Sequence, residues 1–503
     1  MLKRNLIANY IGQGWAAIMG IAFIPLYIKY LGIESYGLIG LFAVLTAWFS
    51  LLDMGMTPAL GREMARFTGG THSAISIRDL LRSIEFVAIG IAMLMMGGVA
   101  ASANWLASSW LQTEALPISV VAQSFIVMGA VATLRFFEGI YRSSIIGLQR
   151  QVLFNIINST MATLRGLGAV AILAWVSPTI QAFFLWQGLI SMASLTALAI
   201  TTYSILPCSE RRGQFSMRAL QGVGRFAGGM MGIAFLALLL TQMDKILLSK
   251  LLTLSDYGYY TLAAAVAGSI GILISPITQA YFPLLSRLHA IGDHAGLIRV
   301  YHQGAQLVSV IAGSASVVLL VFTETFLNLW TQDTILVNRT ALLLRLMVLG
   351  SFLNGLMWIP YQTQLAYGWT GLGIRINVVA ILIIVPAILW VTPRYGAEGA
   401  AFAWVCLNLG YVMIGVQFMY RRILCAEKWI WYQQDIFQPI VPAIVIAVLL
   451  RWLLPHPVSS MAQMLTLAIA SGLTLMAAGL AAELVRRQVR IALTSFFHPL
   501  EGK

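Results

Sequence analysis

The stretch Lys29-Tyr-Leu-Gly-Ile-Glu-Ser-Tyr-Gly37 is a short polar interruption between two long apolar runs. A related stretch, Lys250-Leu-Leu-Thr-Leu-Ser-Asp-Tyr-Gly258, follows 221 residues later. Both begin with lysine and end in Tyr-Gly, and the single acid moves by one place, from Glu34 to Asp256. A short polar turn between apolar runs predicts two membrane-spanning helices joined as a hairpin. The second copy predicts that the chain contains one structural unit twice.

The composition identifies the solvent that this fold must face. Of the 503 residues, 59% are hydrophobic and only 10% are charged, with a mean hydropathy of +0.84. Soluble proteins contain about 25% charged residues. We therefore predict an all-α polytopic membrane protein. The net charge of +13 is explained by basic loops that orient membrane helices, and it does not require a nucleic-acid partner.

Apolar runs of about 20 residues predict individual membrane spans. The N-terminal run is too long for the apolar segment of a signal peptide and lacks a cleavage signature, so we interpret it as the first retained span. We expect about 14 spans, near 7–28, 36–56, 84–104, 118–140, 153–175, 181–205, 226–249, 258–285, 304–323, 339–362, 376–392, 399–420, 438–454 and 463–485.

The basic residues predict the orientation of these spans. With the N-terminus in the cytoplasm, cytoplasmic segments hold 22 lysines and arginines, whereas the opposite side holds only Lys29, Lys250, Arg339 and Arg394. This asymmetry predicts a protein of the cytoplasmic membrane with both termini inside.

Further repeats predict how the chain is divided. Trp175-Val-Ser-Pro178 recurs as Trp390-Val-Thr-Pro393, Tyr141 as Tyr361 and Gly147 as Gly368. We expect an N-terminal lobe of six helices at 1–205, a cytoplasmic linker at 206–225 and a second six-helix lobe at 226–420, followed by two helices and a tail at 421–503. Because six is even, both copies start on the same side, and their symmetry axis should lie along the membrane normal.

The sequence carries few signs of an enzyme. The three cysteines (Cys208, Cys406 and Cys425) lie far apart, so we expect no metal site. All six histidines (72, 289, 294, 302, 456 and 498) are interpreted as lying in loops or tails, which disfavours an intramembrane catalytic histidine. No loop is long enough for a soluble domain. We predict that the protein is not an enzyme, has no cofactor and acts between its helices.

Ionisable residues inside spans are costly and commonly face a functional cavity. Arg165 lies midway along the fifth span, and Asn155 and Asn158 share its helix face. We interpret this stripe as ligand-facing, although a structural arginine bonded to a neighbouring helix is the alternative. In the fourth span, Arg135 and Glu138 are three residues apart, and Glu138 is either a salt-bridge partner or a site of proton exchange.

Other polar residues extend this set. Asn9 and Gln13 in the first span either line a cavity or make interhelical contacts. Arg345 is a further cavity candidate, with a position near the membrane surface as the alternative. Asp53, together with the adjacent pair Asp244 and Lys245, is interpreted as serving ion coupling or gating, by protons or sodium.

Several motifs resemble those of one transporter superfamily. Tyr30-Leu-Gly-Ile-Glu-Ser-Tyr-Gly37, Leu52-Asp-Met-Gly55 followed by Arg62, Asp244-Lys245, and Tyr395-Gly-Ala-Glu-Gly399 resemble the polysaccharide transporter branch of the multidrug/oligosaccharidyl-lipid/polysaccharide exporter superfamily. Wzx-type O-antigen flippases are the best match, with MurJ-like flippases and MATE drug exporters as relatives. The similarity covers roughly residues 1–420.

The resemblance implies two facing lobes that alternate between inward- and outward-open states. It also implies a substrate, an undecaprenyl-pyrophosphate-linked oligosaccharide moved from the cytoplasmic to the periplasmic leaflet, and a cationic cavity in which Arg165 and Arg135 could hold the anion. We expect a monomer in contact with membrane lipids, and other polysaccharide-export proteins are potential partners. A drug exporter of the same fold and a membrane glycosyltransferase or polymerase are the alternatives.

Overall fold

The computed structural model describes residues 2–70, 72–207, 211, 213–454 and 459–487, without side chains at 2–10, 225, 226, 229, 230 and 233. This described part is almost entirely helical, and its only extended pairing is a single bridge between Gln112 and Thr253. The structure therefore confirms the predicted all-α class. Two compact units divide the chain, Met1–Thr261 and Leu262–Lys503.

The first unit contains nine complete helices among its described residues. They are α1 (Leu2–Ala22), α2 (Ile24–Leu31), α3 (Ile33–Leu51), α4 (Met56–Thr68), α5 (Ala74–Trp105), α6 (Ile118–Gly147), α7 (Gln151–Trp175), α8 (Ile180–Ile205) and α9 (Met217–Leu251). A π-helical turn, Leu106–Trp110, extends α5. The next helix, α10 (Leu254–Ala290), begins in this unit and continues into the second.

The second unit contains the remaining helices of the described residues. They are α11 (His294–Val308), α12 (Ser314–Val321), α13 (Thr323–Thr331), α14 (Thr334–Leu356), α15 (Trp358–Ala366), α16 (Thr370–Gly410), α17 (Val416–Tyr420), α18 (Lys428–Ile430), α19 (Gln438–Leu453) and α20 (Ser460–Ala481). π-helical segments at Ser309–Gly313, Tyr411–Gly415 and Trp431–Phe437 join neighbouring helices.

Twelve segments of the described residues are long and apolar enough to cross a membrane. One of them, Thr370–Tyr420, contains two of the predicted spans, which meet where Gly396 adopts φ 60° and ψ −150° and interrupts the helix. Another predicted span, 226–249, lies within α9, which is not among the twelve. The protein is thus a multi-pass membrane protein, and the count of 14 stays a prediction.

The core of the first unit forms where α4, α5, α6 and α9 meet. Leu60, Leu81 and Ile140, from three of these helices, are at most 1% exposed, and Ala227 of α9 belongs to the same cluster. This packing places α9 in the first unit, whereas the sequence division assigns residues from 226 onward to the second lobe. The boundary between the sequence repeats therefore does not coincide with the boundary between the compact units.

The two repeated hairpins contact each other through their glycines. A Cβ atom at Gly37 would lie 2.6 Å from the carbonyl oxygen of Leu254, and one at Gly258 would lie 2.4 Å from that of Ile33. Gly37 and Gly258 are 221 residues apart, and so are Ile33 and Leu254. The repeat therefore relates the two glycine–carbonyl contacts to each other. The sequence repeat thus corresponds to a local two-fold arrangement of the starts of α3 and α10.

A segment that we call the strap (residues 110–115) ties both hairpins together. The backbone N–H groups of Glu114 and Ala115 donate to the carboxylate oxygens of Glu34, each at 2.8 Å. On the other hairpin, the Leu254 N–H donates to the Gln112 carbonyl at 2.8 Å. The Gln112 side chain donates to the Lys250 carbonyl at 3.1 Å. The acid of the first hairpin therefore serves as an acceptor for the strap.

Alanine at Gly37 or Gly258 is expected to destabilise the protein by about 1–3 kcal/mol, because the new methyl group would collide with a backbone carbonyl. Gly268→Ala is the matched control, since no atom of the described residues lies within 4 Å of a Cβ there and alanine favours a helix. The measurement is the fraction of folded protein that survives heating in detergent. Equal survival of all three variants would contradict this role of the hairpin glycines.

Candidate functional site

A polar cavity of about 240 Å³ lies within the first unit, among α3, α6, α7 and α8. Its lining includes Thr46 and Ser50 of α3, Arg135, Glu138 and Arg142 of α6, Asn158 and Arg165 of α7, and Ser194 of α8. Apolar membrane helices thus surround a cluster of charged and hydroxyl side chains. Arg135, Glu138, Asn158 and Arg165, which the sequence singles out on two separate spans, share this one cavity.

Arg165 forms the shortest ion pair of the cavity. Its Nη2 atom donates to Glu138 Oε1 at 2.7 Å and to Oε2 at 3.1 Å, and it also lies 3.3 Å from Ser191 Oγ. The side chains of Arg165 and Glu138 are 21% and 15% exposed, so solvent reaches both only partly. The pair joins α6 to α7 across the cavity.

Arg135 is held by a neutral partner instead. Its Nη2 atom donates to Gln187 Oε1 on α8 at 3.0 Å, and its guanidinium carbon lies 4.7 Å from the ring centroid of Phe42. Neither contact neutralises its charge. A guanidinium that packs on an aromatic face and is fixed by an amide keeps its positive charge available to a third group.

The cavity therefore carries excess positive charge. Arg135, Arg142 and Arg165 face one carboxylate, Glu138, so the formal charge of the lining is +2. The buried Nε–H groups of Arg135 and Arg165 have no acceptor among the described residues. Buried donors without acceptors are unfavourable in apolar surroundings, so the site suits a ligand that supplies anionic oxygen atoms.

Other predicted cavity residues lie elsewhere. Asn155 packs where α7 meets α1, and its side chain donates to the Gln151 carbonyl. Gln13 is exposed and does not line the cavity, and the side chain of Asn9 lies outside the described residues. The predicted stripe on α7 is thus divided, because Asn155 supports helix packing while Asn158 and Arg165 face the cavity.

Arg345 belongs to a separate cluster in the second unit. It donates to Glu324 Oε1 at 2.8 Å, and Arg451 approaches Glu324 Oε2 at 3.4 Å. Glu324 and Arg451 were not predicted as partners, since they are far from Arg345 along the chain and no spacing rule connects them.

The predicted coupling residues are also distributed. Asp53 precedes α4 and accepts from the backbone and side chain of Thr57, at 2.8 and 2.9 Å. Burial raises the pKa of Asp53, and the bonds from Thr57 oppose this shift. Asp244 accepts from Tyr260 at 2.6 Å, whereas Lys245 donates to Gln242 at 3.1 Å. Asp244 and Lys245, although adjacent in the sequence, thus have separate partners.

The interpretation of the histidines as loop or tail residues is wrong for His302, and also for His289 and His294, which belong to α10 and α11. His456 and His498 lie outside the described residues. His302 lies inside α11, within the candidate span His294–Val321, and is 6% exposed. Its ring contacts Asp435 at 2.5 Å and Glu427 at 3.1 Å. The apolar run after residue 294 could have revealed this position. The predicted span at 304–323 begins ten residues after the start of α11 and therefore does not include His302.

Comparison with known proteins identifies the family. The family model described as "Polysaccharide biosynthesis protein" matches residues 29–333, more than half of the chain. The chain belongs to the polysaccharide biosynthesis protein family. Its match begins at Lys29, the first residue of the repeated hairpin, and includes both hairpins, the strap and the whole cavity.

One relative and two solved structures extend this membership. A Shigella flexneri protein assigned as an O-antigen transporter is 20% identical over 84% of this chain and 98% of the relative. The structure titled "Lipid II flippase MurJ, inward closed conformation" matches with a TM-score of 0.67 at 12% identity, over 98% of each chain. A multidrug resistance MATE family transporter of the MOP superfamily matches with a TM-score of 0.66 at 13% identity, over 83% of this chain and 96% of that one.

This member of the polysaccharide biosynthesis family therefore shares its fold with MurJ and with MATE transporters. The matches confirm the resemblance that the hairpin motifs indicate. At 12–13% identity the structural likeness establishes the fold alone. The chemistry of this protein has to be argued from its own cavity.

Proposed function

We propose that this protein is a flippase of the bacterial cytoplasmic membrane that moves an undecaprenyl-pyrophosphate-linked oligosaccharide, such as an O-antigen unit, to the periplasmic leaflet. The observation that supports this most is the cavity of formal charge +2 around Arg135 and Arg165. Membership of the polysaccharide biosynthesis family and similarity to an O-antigen transporter support the class of substrate.

The cost of moving a charged pyrophosphate through the bilayer explains why such a substrate needs arginines. An ion without counter-charge costs several kcal/mol or more in the bilayer interior. Arg165 and Arg135 offer forked, charge-assisted hydrogen bonds to pyrophosphate oxygens. Thr46, Ser50, Asn158 and Ser194 add neutral polar groups that suit sugar hydroxyls. The polyprenyl tail stays in the surrounding lipid.

Glu138 can exist in two states, paired with Arg165 or released from it. In the structure it holds Arg165, so an incoming pyrophosphate competes with this carboxylate for the same guanidinium. Binding of the anion therefore frees Glu138 to exchange a proton or to pair with Arg135 or Arg142. This competition would link substrate binding to a coupling ion, with a proton as the ion that a carboxylate accepts directly.

The positive charge of the cavity and the similarity to transporters argue against the two alternative functions. A cationic drug would be repelled by three arginines that face one carboxylate. A glycosyltransferase or polymerase is disfavoured, because the Shigella flexneri relative and the two structures above are described as transporters or flippases. We retain alternating access with both termini in the cytoplasm as part of the proposal, and the strap then closes the periplasmic end.

Transport by the purified protein in proteoliposomes is expected for undecaprenyl-pyrophosphate-linked oligosaccharide and absent for cationic dyes. The substitutions Gln112→Cys and Thr253→Cys, in a background without the three native cysteines, place thiols at the bridge between strap and hairpin. Oxidation should lower the transport rate at least about tenfold, since the closed end can no longer open, and a reductant should restore it.

Each outcome of this experiment is decisive for one part of the proposal. Dye uptake without movement of the glycolipid would replace the flippase by a drug exporter. Formation of new glycosidic bonds would replace it by an enzyme. Full transport by the oxidised, cross-linked protein would exclude opening at the strap while leaving the substrate assignment intact.

A further inference from the structure

A second cavity, apolar and of about 590 Å³, lies in the second unit beside α16. The two halves of α16 line it on either side of the break at Gly396, and the segment that follows α16 completes it. Small residues leave the space between these helices: Ala380, Ala387, Ala403, Gly410 and Gly415. A long apolar groove of this kind has the shape of an extended hydrocarbon chain.

Three arginines lie at one end of this groove. Arg375 belongs to its lining, and the guanidinium of Arg421 lies 5.7 Å from the ring centroid of Phe418, which also lines it. Arg422 lies 4.7 Å from the ring of Trp369, the residue before α16. None of the three forms an ion pair with a described carboxylate, in contrast to Arg165 and Arg345. Their positive charge is therefore available to a ligand.

The positions of these groups match one class of molecule. The side chain of Arg375 is exposed in the first two turns of α16, while the groove runs onward along apolar residues such as Ile383. A ligand that fits both parts has a hydrocarbon chain and, at its end, an anionic headgroup. Basic sites between membrane helices on the cytoplasmic side bind anionic lipid headgroups in this way.

We propose that the groove along α16 is a binding site for one anionic phospholipid. One acyl chain lies among the alanines and glycines, and the phosphate accepts hydrogen bonds from Arg375 and Arg421. The volume suits a single chain better than an entire undecaprenyl tail. The site is built wholly from residues of the second unit, so it is distinct from the substrate cavity among α3, α6, α7 and α8.

The preference for one lipid over another is expected to come from the headgroup and not from the acyl chain. Inside a bilayer, apolar contact does not discriminate between lipids, because every neighbouring tail is equally apolar. The groove therefore determines where the lipid sits, whereas the arginines determine which headgroup is preferred. Because each basic residue near the headgroup attracts an anionic lipid, two arginines should favour it about tenfold or more over a zwitterionic one.

Native mass spectrometry of the full-length protein, titrated with phosphatidylglycerol or with phosphatidylcholine, tests the proposal. The unmodified protein should retain one phosphatidylglycerol with about tenfold preference. The double variant Arg375→Gln/Arg421→Gln should bind the two lipids nearly equally. Ala387→Trp should lose the tightly bound lipid of either kind, because the indole fills the groove.

The control is Arg287→Gln/Arg299→Gln, which removes two exposed basic residues of the same unit that do not line the groove. Its preference should equal that of the unmodified protein. An unchanged preference in the groove variants would overturn the proposal, and so would an equal loss in the control, which would indicate a general effect of loop charge. Retention of undecaprenyl phosphate in place of phosphatidylglycerol would also overturn it, since the groove would then hold a substrate-type lipid.

Discussion

Replacing Arg165 by alanine is expected to abolish export of the surface glycan while the protein remains in the membrane. The substitution removes the guanidinium that donates to Glu138 at 2.7 Å and lowers the formal charge of the cavity from +2 to +1. It also leaves the carboxylate of Glu138, which is 15% exposed, without its partner. Because this pair is partly exposed, removing one member should cost less than the roughly 3–5 kcal/mol of a fully buried pair.

Loss of stability and loss of substrate binding can be separated by a double variant. Arg165→Ala/Glu138→Ala removes both charges, so it should recover most of the stability but none of the transport. Arg165→Lys should transport weakly, because the charge persists without the planar fork that binds two oxygens at once. The measurements are surface glycan on cells and the amount of folded protein in the membrane.

Arg150→Ala is the matched control, since this arginine is exposed just before α7 and does not line the cavity. It should show normal glycan levels. Normal export by the double variant would remove Arg165 from the substrate site and leave the ion pair a purely structural role.

The sequence predicted the features that depend on local composition. Apolar runs predict membrane helices because the bilayer requires internally satisfied backbone hydrogen bonds. The spacing of Arg135 and Glu138 places them on one face of α6 by helical geometry alone. These predictions use only rules that act within one or two turns of a helix.

The partners across helices could not be predicted in the same way. Arg165 and Glu138 are 27 residues apart and lie on different helices, and Arg345 and Glu324 are 21 apart. Such pairs depend on the rotation of each helix about its axis, which neighbouring helices determine. For this reason the stripe on α7 appeared continuous in the sequence, although Asn155 faces α1 and Arg165 faces the cavity.

The cluster around His302 has the same origin. Its carboxylates, Asp435 and Glu427, are 133 and 125 residues away along the chain. No motif predicts that a π-helical segment beside α19 would present Asp435 to α11. A histidine with a carboxylate at each ring nitrogen can donate from both when it is doubly protonated.

Asp435→Ala is expected to destabilise the second unit by about 3–5 kcal/mol, the typical cost of breaking a buried charged pair. Asp435 is fully buried, and it also accepts from Gln306 at 3.1 Å. Gln306 in turn accepts from the backbone N–H of Leu484 at 3.0 Å, so the cluster joins α11 to the segments on both sides of the α19–α20 hairpin. Loss of Asp435 should therefore loosen the hairpin from α11, which amide hydrogen exchange over 438–481 would detect.

Asp293→Ala is the matched control in the same unit. Asp293 caps α11 by accepting from the Gly296 N–H at 2.8 Å, and losing such a cap costs about 1 kcal/mol. Thermal unfolding in detergent should place Asp435→Ala well below this control, with Asp435→Asn between them, since the amide keeps a hydrogen bond to His302 but loses the charge. If Asp435→Ala unfolds at the same temperature as Asp293→Ala, and its hairpin amides exchange no faster than in the unmodified protein, the cluster does not hold the hairpin. The α19–α20 hairpin would then depend on the apolar contacts that α19 and α20 make with α12.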